Sequence, residues 1–112
     1  MSLVTAIIKP HMLEAVKDGL RSAGVNGLTV TEVRGFGRQG GHTETYRGAE
    51  YVVDLIPKIR IEVLCGMDEA EKIMEIIRSC AHTGAIGDGK IWVTDVSRVM
   101  RIRTGEMGTD AT

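Results

Sequence analysis

The sequence has 112 residues, of which 43% are hydrophobic, and its formal net charge is −1 at pH 7. A chain of this size and hydrophobicity can bury a core of its own, which argues against global disorder. The near-neutral charge, with one Trp, two Tyr and one Phe, argues against binding to nucleic acid or to an anionic membrane, because those partners require a cationic surface or aromatic stacking platforms.

The first third of the chain predicts a strand, a helix and a second strand. Residues 3–9, LVTAIIK, are rich in β-branched residues and end at Pro10, which is typical of a buried strand before a helix. Apolar residues at spacings of three and four then predict a helix over residues 13–23, which Gly24 ends. Residues 28–33, LTVTEV, alternate as a half-buried strand does.

The rest of the chain predicts a strand, a helix and a final strand. Residues 58–65, KIRIEVLC, alternate apolar with charged side chains, and six apolar residues fall on one face of a helix over residues 70–81. Asp68 and Glu71 predict a cap at the start of that helix. Residues 90–96, KIWVTDV, predict the last strand.

The predicted order of strand, helix, strand, strand, helix and strand is that of an α+β, ferredoxin-like βαββαβ sandwich. We expect a single domain over residues 1–112. Both helices lie on one sheet face in this fold, so the other face is open. Because a small domain does not leave so much apolar sheet in water, we predict a homo-oligomer that covers this face.

The segment of residues 37–55 does not fit a compact domain. It contains four glycines and mixed charge, and it joins two strands that a short hairpin turn could have connected. Connections longer than about 12–15 residues without structure of their own are usually functional or disordered. A tolerated surface insertion remains the alternative reading.

Residues 84–90, GAIGDGK, satisfy most of the phosphate-loop pattern, in which bare N–H groups and a lysine hold phosphates. Ile91 replaces the Ser or Thr that such a loop uses for Mg²⁺, and the predicted context is helix to strand instead of strand to helix. A phosphate bound here must therefore be held by a different architecture.

Arg101 and Arg103 stand two residues apart in VMRIRT, residues 99–104, which we predict to be extended. On an extended backbone both guanidinium groups leave the same face and can hold one polyphosphate. A solvated edge strand is the alternative. Together with Lys90 and its glycine-rich loop, the arginines suggest a nucleotide, which could lie between chains. Lys58 could meet a carboxylate near Gln39 or could be a solvated lysine.

No catalytic or metal-binding set can be assigned from spacing. Cys65 and Cys80 form no C-x-x-C pair, the histidines have no metal-ligand spacing, and the carboxylates are scattered. These absences favour a sensor over an enzyme. The apolar run near the start of the chain is too short for a membrane span or a signal peptide, so we expect a cytoplasmic protein.

Three separated motifs carry a resemblance to a known family. They are GFGRQGGHTETYRGAEY at 35–51, TGAIGDGKIWV at 83–93 and RIRTGE at 101–106, and the likeness extends to TAIIKP near the start and PKIRIEV at 57–63. The chain resembles the PII nitrogen-regulatory signalling proteins over essentially its whole length. The resemblance implies a homotrimer of ferredoxin-like subunits, with ATP or ADP bound competitively in the clefts between them.

The resemblance also implies the ligand sites. ATP or ADP would contact Ile7, Thr29, Gly35, Phe36, Gly37, Arg38, Leu64, Gly87, Asp88, Gly89, Lys90, Arg101 and Arg103, with both arginines from the neighbouring subunit. The ligand 2-oxoglutarate would contact Gln39, Gly41, Lys58 and Gly87, and Gln39 would ligate a Mg²⁺ ion on ATP. Because a dianion cannot lie beside a triphosphate without a cation between them, 2-oxoglutarate should bind with Mg-ATP and not with ADP.

In the family, residues 37–55 correspond to the T-loop, a long, flexible, protruding loop that contacts target proteins. The implied targets are an ammonium transporter, which is the only expected link to a membrane, or enzymes and kinases of nitrogen metabolism. Arg47 matches the residue that plugs a transport channel, and Tyr51 matches the position that a nucleotidyltransferase modifies. Gly40 and Ala85 replace lysines that are common in the family, which should weaken anion binding.

Two other functions are compatible with parts of the sequence. A small ATP-hydrolysing enzyme could use the loop from Gly84 to Lys90, and sustained turnover that is abolished by Lys90→Ala would favour it. An RNA-binding ferredoxin-like module is the third possibility, which the few aromatic residues and the lack of a basic face disfavour.

Overall fold

The computed structural model describes residues 1–37 and 55–112 in full, together with the backbone of residues 42–46 and 49–53. The strands are β1 (Ser2–Ile8), β2 (Thr29–Gly35), β3 (His42–Tyr46), β4 (Ala49–Val53), β5 (Ile56–Cys65) and β6 (Lys90–Asp95). The helices are α1 (Leu13–Ser22) and α2 (Ala70–Ala81), and short 3-10 turns span Pro10–Met12 and Gly108–Ala111.

Four of the strands form one sheet in the order β2-β5-β1-β6, and every neighbouring pair is antiparallel. Along the chain, α1 connects β1 to β2 and α2 connects β5 to β6. This is the ferredoxin-like α+β arrangement, so the predicted fold class is confirmed. Each of the six predicted helices and strands lies within about two residues of its observed position, because hydrophobic periodicity reports which face of an element is buried.

The core lies between the sheet and the two helices. In β1, Val4, Ala6 and Ile8 are buried, and in β5 the alternate residues Ile61 and Val63 are buried with them. The helices bury Val16, Leu20, Ile73 and Ile77 against these strands. The three- and four-residue spacing of the helical set and the two-residue spacing of the strand set are what close packing of helices on one sheet face requires.

The other side of the sheet, which we call the open face, is covered by neither helix. Leu64 in β5 and Trp92 in β6 lie on this face and are 41% and 40% exposed. The predicted uncovered face is therefore present in the single chain.

The segment of residues 37–55 contains a hairpin that the sequence did not predict. Strand β3 pairs with β4 in antiparallel register, from His42 opposite Val53 to Tyr46 opposite Ala49. This pair forms a separate two-stranded sheet. The sequence of these strands has little hydrophobic periodicity and therefore gave no strand prediction, because a two-stranded ribbon outside the main sheet needs no buried face.

Two local predictions were wrong. Asp68 and Glu71 do not cap α2, since its N-cap is Glu69 and makes no side-chain hydrogen bond there. The chain from Arg101 to Glu106 is a tight reversal and not an extended strand, because Gly105 N–H donates to the Arg101 carbonyl at 2.7 Å. Gly105 has a φ of 74°, which permits the reversal, and Met100 pairs with Met107 across it.

No helix in residues 1–37 or 55–112 has both the length and the apolar character that a membrane crossing requires.

Candidate functional site

The connection between α2 and β6, which we call the glycine loop (residues 83–89), is organised around one carboxylate. Asp88 Oδ2 accepts the backbone N–H groups of Thr83 at 2.8 Å and Gly84 at 2.9 Å, and its Oδ1 accepts the Thr83 hydroxyl. Lys9, just beyond β1, places its Nζ 3.2 Å from Asp88 Oδ1. The two ends of the loop and the end of β1 are thus joined at a single side chain.

These contacts keep Asp88 ionised. The Thr83 hydroxyl and then the Thr83 backbone N–H hold the pKa of the Asp88 carboxyl well below its usual range, and Gly84 and Lys9 act in the same direction. Because hydrogen bonds to the charged form favour it, the carboxylate stays charged throughout the neutral range. The predicted role of Asp88 beside phosphates therefore has to account for a fixed negative charge.

The backbone of the glycine loop passes close to β1 at Gly89. The φ of this residue is 106°, and a Cβ atom built on it would overlap the Ile7 carbonyl oxygen. Gly84 and Gly87 also have positive φ, at 86° and 100°. Only glycine combines this backbone conformation with this close approach, so the loop carries bare N–H groups at the start of β6.

Lys58 links β5 to the same loop. Its side chain is buried, with the residue 9% exposed, and its Nζ donates to the Gly87 carbonyl oxygen at 2.6 Å. The solvated alternative for this lysine is therefore wrong. Gln39, its suggested neighbour, lies outside the described residues. An ammonium group has three donors, and this bond uses one of them.

The glycine loop, the end of β2 and Lys58 surround a cleft of about 650 Å³. Its lining contains most of the predicted nucleotide residues in one place: Ile7, Gly35, Phe36, Gly37, Gly87, Asp88, Gly89 and Lys90, with Lys58 and Trp92 beside them. We call this surface the phosphate cleft. Residues predicted from separate motifs, over 80 positions apart in the sequence, thus share one concave surface.

Thr29 and Leu64 are not in the phosphate cleft. They line a second groove of about 680 Å³, which we call the distal groove, together with Glu62 and Leu3. Thr29 begins β2 and Gly35 ends it, so the two residues are about 20 Å apart along the strand at 3.3 Å per residue. One chain therefore carries the predicted nucleotide residues at two opposite ends of the sheet.

Arg101 and Arg103 do not form the parallel pair that an extended strand would give. The Arg101 guanidinium contacts Glu106 Oε1 at 3.4 Å and donates to the carbonyl oxygens of Asp110 at 2.8 Å and Thr112 at 3.2 Å. Arg103 is exposed on the turn. The chain reversal at Gly105 separates their directions, so one arginine holds the end of the chain while the other faces solvent.

Several predicted residues lie outside the described part of the chain. They are Arg38, Gln39, Gly41, Arg47 and the side chain of Tyr51. Within residues 1–37 and 55–112, no three His, Cys, Asp or Glu side chains are grouped so as to hold a metal ion. The predicted Mg²⁺ ligand, Gln39, is not among these residues.

Lys9 and Thr83 are two residues of this site that spacing did not find. Their hydrogen bond joins positions 74 residues apart in the sequence, at 3.3 Å from Lys9 Nζ to Thr83 Oγ1. A hydroxyl before the glycine-rich stretch and a carboxylate within it, as in Thr83 and Asp88, are a local signal of such contacts, since these side chains often bond the backbone of turns.

Replacing Lys58 with Met should change the pH dependence of the free energy of unfolding. Burial, and then the nearby Lys9 ammonium, lower the pKa of Lys58 from 10.5, while Asp88 raises it. In the alkaline range below 10.5, the unfolded chain binds more protons than the folded one, so wild-type stability should gain from this group as pH rises. Below the folded-state pKa, Lys58 is charged in the folded protein, and the full cost of burying this charge lowers the free energy of unfolding.

Urea denaturation in steps from about pH 7 upward measures this effect. The rise in the free energy of unfolding with pH should be smaller in Lys58→Met than in the wild type. It should also be smaller than in the control Lys17→Met, which removes a lysine from the surface of α1. The same gain in all three proteins would contradict a buried, charged Lys58.

Comparison with known proteins identifies the family of this chain. The family description "Nitrogen regulatory protein P-II" matches residues 1–106. The chain belongs to the P-II family. It is 60% identical over 111 residues to a nitrogen regulatory protein P-II of Mesorhizobium japonicum, and 59% identical over 111 residues to one of Azospirillum brasilense, with 99% of both chains covered in each case. It is 57% identical over 106 residues to the nitrogen regulatory protein GlnK of Escherichia coli, with 95% of both chains covered.

The P-II assignment confirms the family resemblance and the regulatory class. The matched family and the named relatives are nitrogen regulatory proteins, which places this chain among regulatory proteins and not among enzymes. The match extends over both the phosphate cleft and the distal groove.

Proposed function

We propose that this P-II protein is a cytoplasmic homotrimer that binds ATP and ADP in competition and binds 2-oxoglutarate together with Mg-ATP. Through its T-loop it would control an ammonium transporter or enzymes and kinases of nitrogen metabolism. The observation that carries this proposal is the division of the predicted nucleotide residues between the phosphate cleft and the distal groove.

The division supports a site shared between subunits. Thr29 and Leu64 line the distal groove, about 20 Å along the sheet from the phosphate cleft. A cyclic assembly joins unlike surfaces of neighbouring copies, so each phosphate cleft can meet the distal groove of the next chain. The half-exposed Leu64 and Trp92 on the open face favour burial of that face in the same assembly.

The chemistry of the phosphate cleft suits a polyphosphate. Gly87 and Gly89 have positive φ angles, and as glycines they have no side chain beside their backbone N–H groups. Lys90 begins β6 at the edge of the cleft. Backbone donors and a lysine are the groups that phosphate loops use. Arg103, exposed on the turn, is free of the chain-end contacts that hold Arg101 and would reach the phosphates from the neighbouring subunit.

Lys58 suits the distal carboxylate of 2-oxoglutarate. One of its three N–H donors is bound to the Gly87 carbonyl oxygen, and the side chain lines the phosphate cleft. Charge-assisted hydrogen bonds of a largely buried ammonium to a carboxylate contribute on the order of 1.5–3 kcal/mol. Gln39 would hold the Mg²⁺ ion that separates the two anions, with the Gly41 backbone assisting.

The T-loop would carry the output. Its residues adjoin the phosphate cleft through Gly35, Phe36 and Gly37 at the end of β2, so ligands in the cleft can favour one loop conformation by their differential affinity. Arg47 would contact the channel of a transporter. Tyr51 would be the target of a nucleotidyltransferase, whose product adds bulk and charge to the docking surface.

Calorimetric titration of 2-oxoglutarate tests the proposal directly. Protein that holds Mg-ATP should bind 2-oxoglutarate with a measurable enthalpy, and protein that holds Mg-ADP should not, because the γ-phosphate and its metal complete the site. Equal binding in both states would refute the metal bridge.

Arg103→Ala should weaken ATP binding about tenfold or more, the loss expected when one charge-assisted hydrogen bond to a phosphate is removed. Size-exclusion chromatography with light scattering should show the same assembly as the wild type, because the side chain is exposed. Arg21→Ala is the matched control, since it removes a guanidinium that is 73% exposed on α1. Unchanged ATP affinity in Arg103→Ala would remove this residue from the site.

A further inference from the structure

We propose that Lys9 and Thr83 are positioning residues of the glycine loop, and that both act through Asp88. They fix the Asp88 carboxylate inside the loop and offset its charge, so that the phosphate cleft presents donors and not a free anion. The effect on nucleotide affinity rests on the proposed function, whereas the positioning of the loop can be tested without any ligand.

The Thr83 hydroxyl is at the centre of the contacts. It donates to Asp88 Oδ1 and accepts from Lys9 Nζ at 3.3 Å and from the Ala85 N–H at 3.2 Å. A hydroxyl offers one donor and two acceptor positions, and all three are used here. No side chain without a hydroxyl can make this set of bonds, and Ser and Thr can both make it.

The Asp88 carboxylate is directed into the loop by four donors. Two backbone N–H groups approach Oδ2, while the Thr83 hydroxyl and Lys9 Nζ approach Oδ1. Asp88 lies between Gly87 and Gly89, whose backbone forms the proposed phosphate contacts. An uncompensated carboxylate at this position would repel a polyphosphate.

Lys9 supplies the compensating charge. Its Nζ is 3.2 Å from Asp88 Oδ1, and both side chains are about one-fifth exposed, at 22% and 23%. An ion pair of this exposure contributes little to the stability of the fold. A loss of nucleotide affinity without a comparable loss of stability therefore distinguishes a positioning role from a purely structural one.

The first test removes the charge of Lys9. Lys9→Met should weaken Mg-ATP binding about tenfold by calorimetry, and it should weaken ADP binding less because ADP carries fewer negative charges. Adding Asp88→Asn to Lys9→Met should restore part of the affinity, since the amide oxygen still accepts backbone N–H groups and carries no charge. A double variant that binds ATP more weakly than Lys9→Met would overturn the proposal.

The second test removes the hydroxyl of Thr83. Thr83→Val has nearly the same shape and should also weaken ATP binding about tenfold, whereas Thr83→Ser should retain the wild-type affinity. If Thr83→Val binds as tightly as the wild type, the hydroxyl does not position the loop. The midpoint of urea unfolding, measured for each variant, shows whether affinity changes independently of stability.

The third test needs no nucleotide. In the ligand-free protein, hydrogen exchange of the Thr83 and Gly84 amides should be several-fold faster in Thr83→Val and Lys9→Met than in the wild type. Amides of β5 serve as the internal control and should be unchanged. Unchanged exchange at Thr83 and Gly84 would refute the positioning role, even if the wild type bound neither ATP nor ADP and the proposed function had therefore failed.

Discussion

Replacing Gly89 with alanine should destabilise the protein by about 3 kcal/mol or more and abolish nucleotide binding. A left-handed backbone at a non-glycine residue costs about 1–3 kcal/mol, and forcing extra atoms into a packed site typically costs about 1–3 kcal/mol in addition. Both terms apply here, because Gly89 has a φ of 106° and its Cβ would overlap the Ile7 carbonyl oxygen. Either β1 or the glycine loop has to move.

Gly24→Ala is the matched control for this experiment. Gly24 ends α1 with a φ of 90°, and no atom lies within 4 Å of the position that its Cβ would take. This variant should therefore lose only the conformational term, about 1 kcal/mol. Urea denaturation of both variants measures the difference, which reports the clash with β1. Equal losses would mean that the close approach at Ile7 has no energetic importance.

If the chain assembles as the proposed homotrimer, mixed trimers of Lys90→Ala and Arg103→Ala chains should contain a high-affinity ATP site that neither variant has alone. If each site takes Lys90 from one chain and Arg103 from the next, every site in either homotrimer lacks one of the two groups. In a ring of three that contains both variants, one junction joins an intact Lys90 to an intact Arg103. The other two junctions remain defective.

Co-expression with two different affinity tags isolates the mixed trimers, and calorimetry should then give one high-affinity ATP per trimer. Trimers of Lys90→Ala chains that carry the two tags should give none, which controls for the tags. Mixed trimers with no high-affinity site would show that Lys90 and Arg103 do not meet across a subunit boundary.

The core elements of this fold could be predicted because burial leaves a periodic pattern in the sequence. In α2, Ile73 and Ile77 fall on the buried stripe, and in β5, Ile61 and Val63 alternate with charged residues, as observed. Periodicity reports only whether a side chain is buried. It therefore failed for the β3–β4 hairpin, which forms a separate two-stranded sheet. It also failed for the turn after Arg101, where the chain direction depends on the positive φ of Gly105.

The residues of the candidate site also differ in whether the sequence alone could predict them. Gly87, Gly89 and Lys90 could be predicted from a local pattern, since glycine backbone and a lysine are the groups that phosphate loops use. The family resemblance was needed for Thr29 and Leu64, whose local sequence has no chemical signal. Lys9 was found only in the structure, because its partner Asp88 lies far along the chain and the sequence does not indicate which lysine reaches it.

The hydrogen bond from Lys58 to the Gly87 carbonyl oxygen, at 2.6 Å, connects the two proposed ligand sites. Lys58 would bind 2-oxoglutarate, and the Gly87 backbone would contact the nucleotide. A carboxylate bound to the other donors of this ammonium would be linked through Lys58 to the Gly87 backbone, which would contact the phosphates in the proposed site. Thermodynamic reciprocity then applies, so that the factor by which a nucleotide alters the affinity for the oxoacid equals the factor by which the oxoacid alters the affinity for that nucleotide. The protein would then respond jointly, through Lys58, to the concentration of 2-oxoglutarate and to the ratio of ATP to ADP.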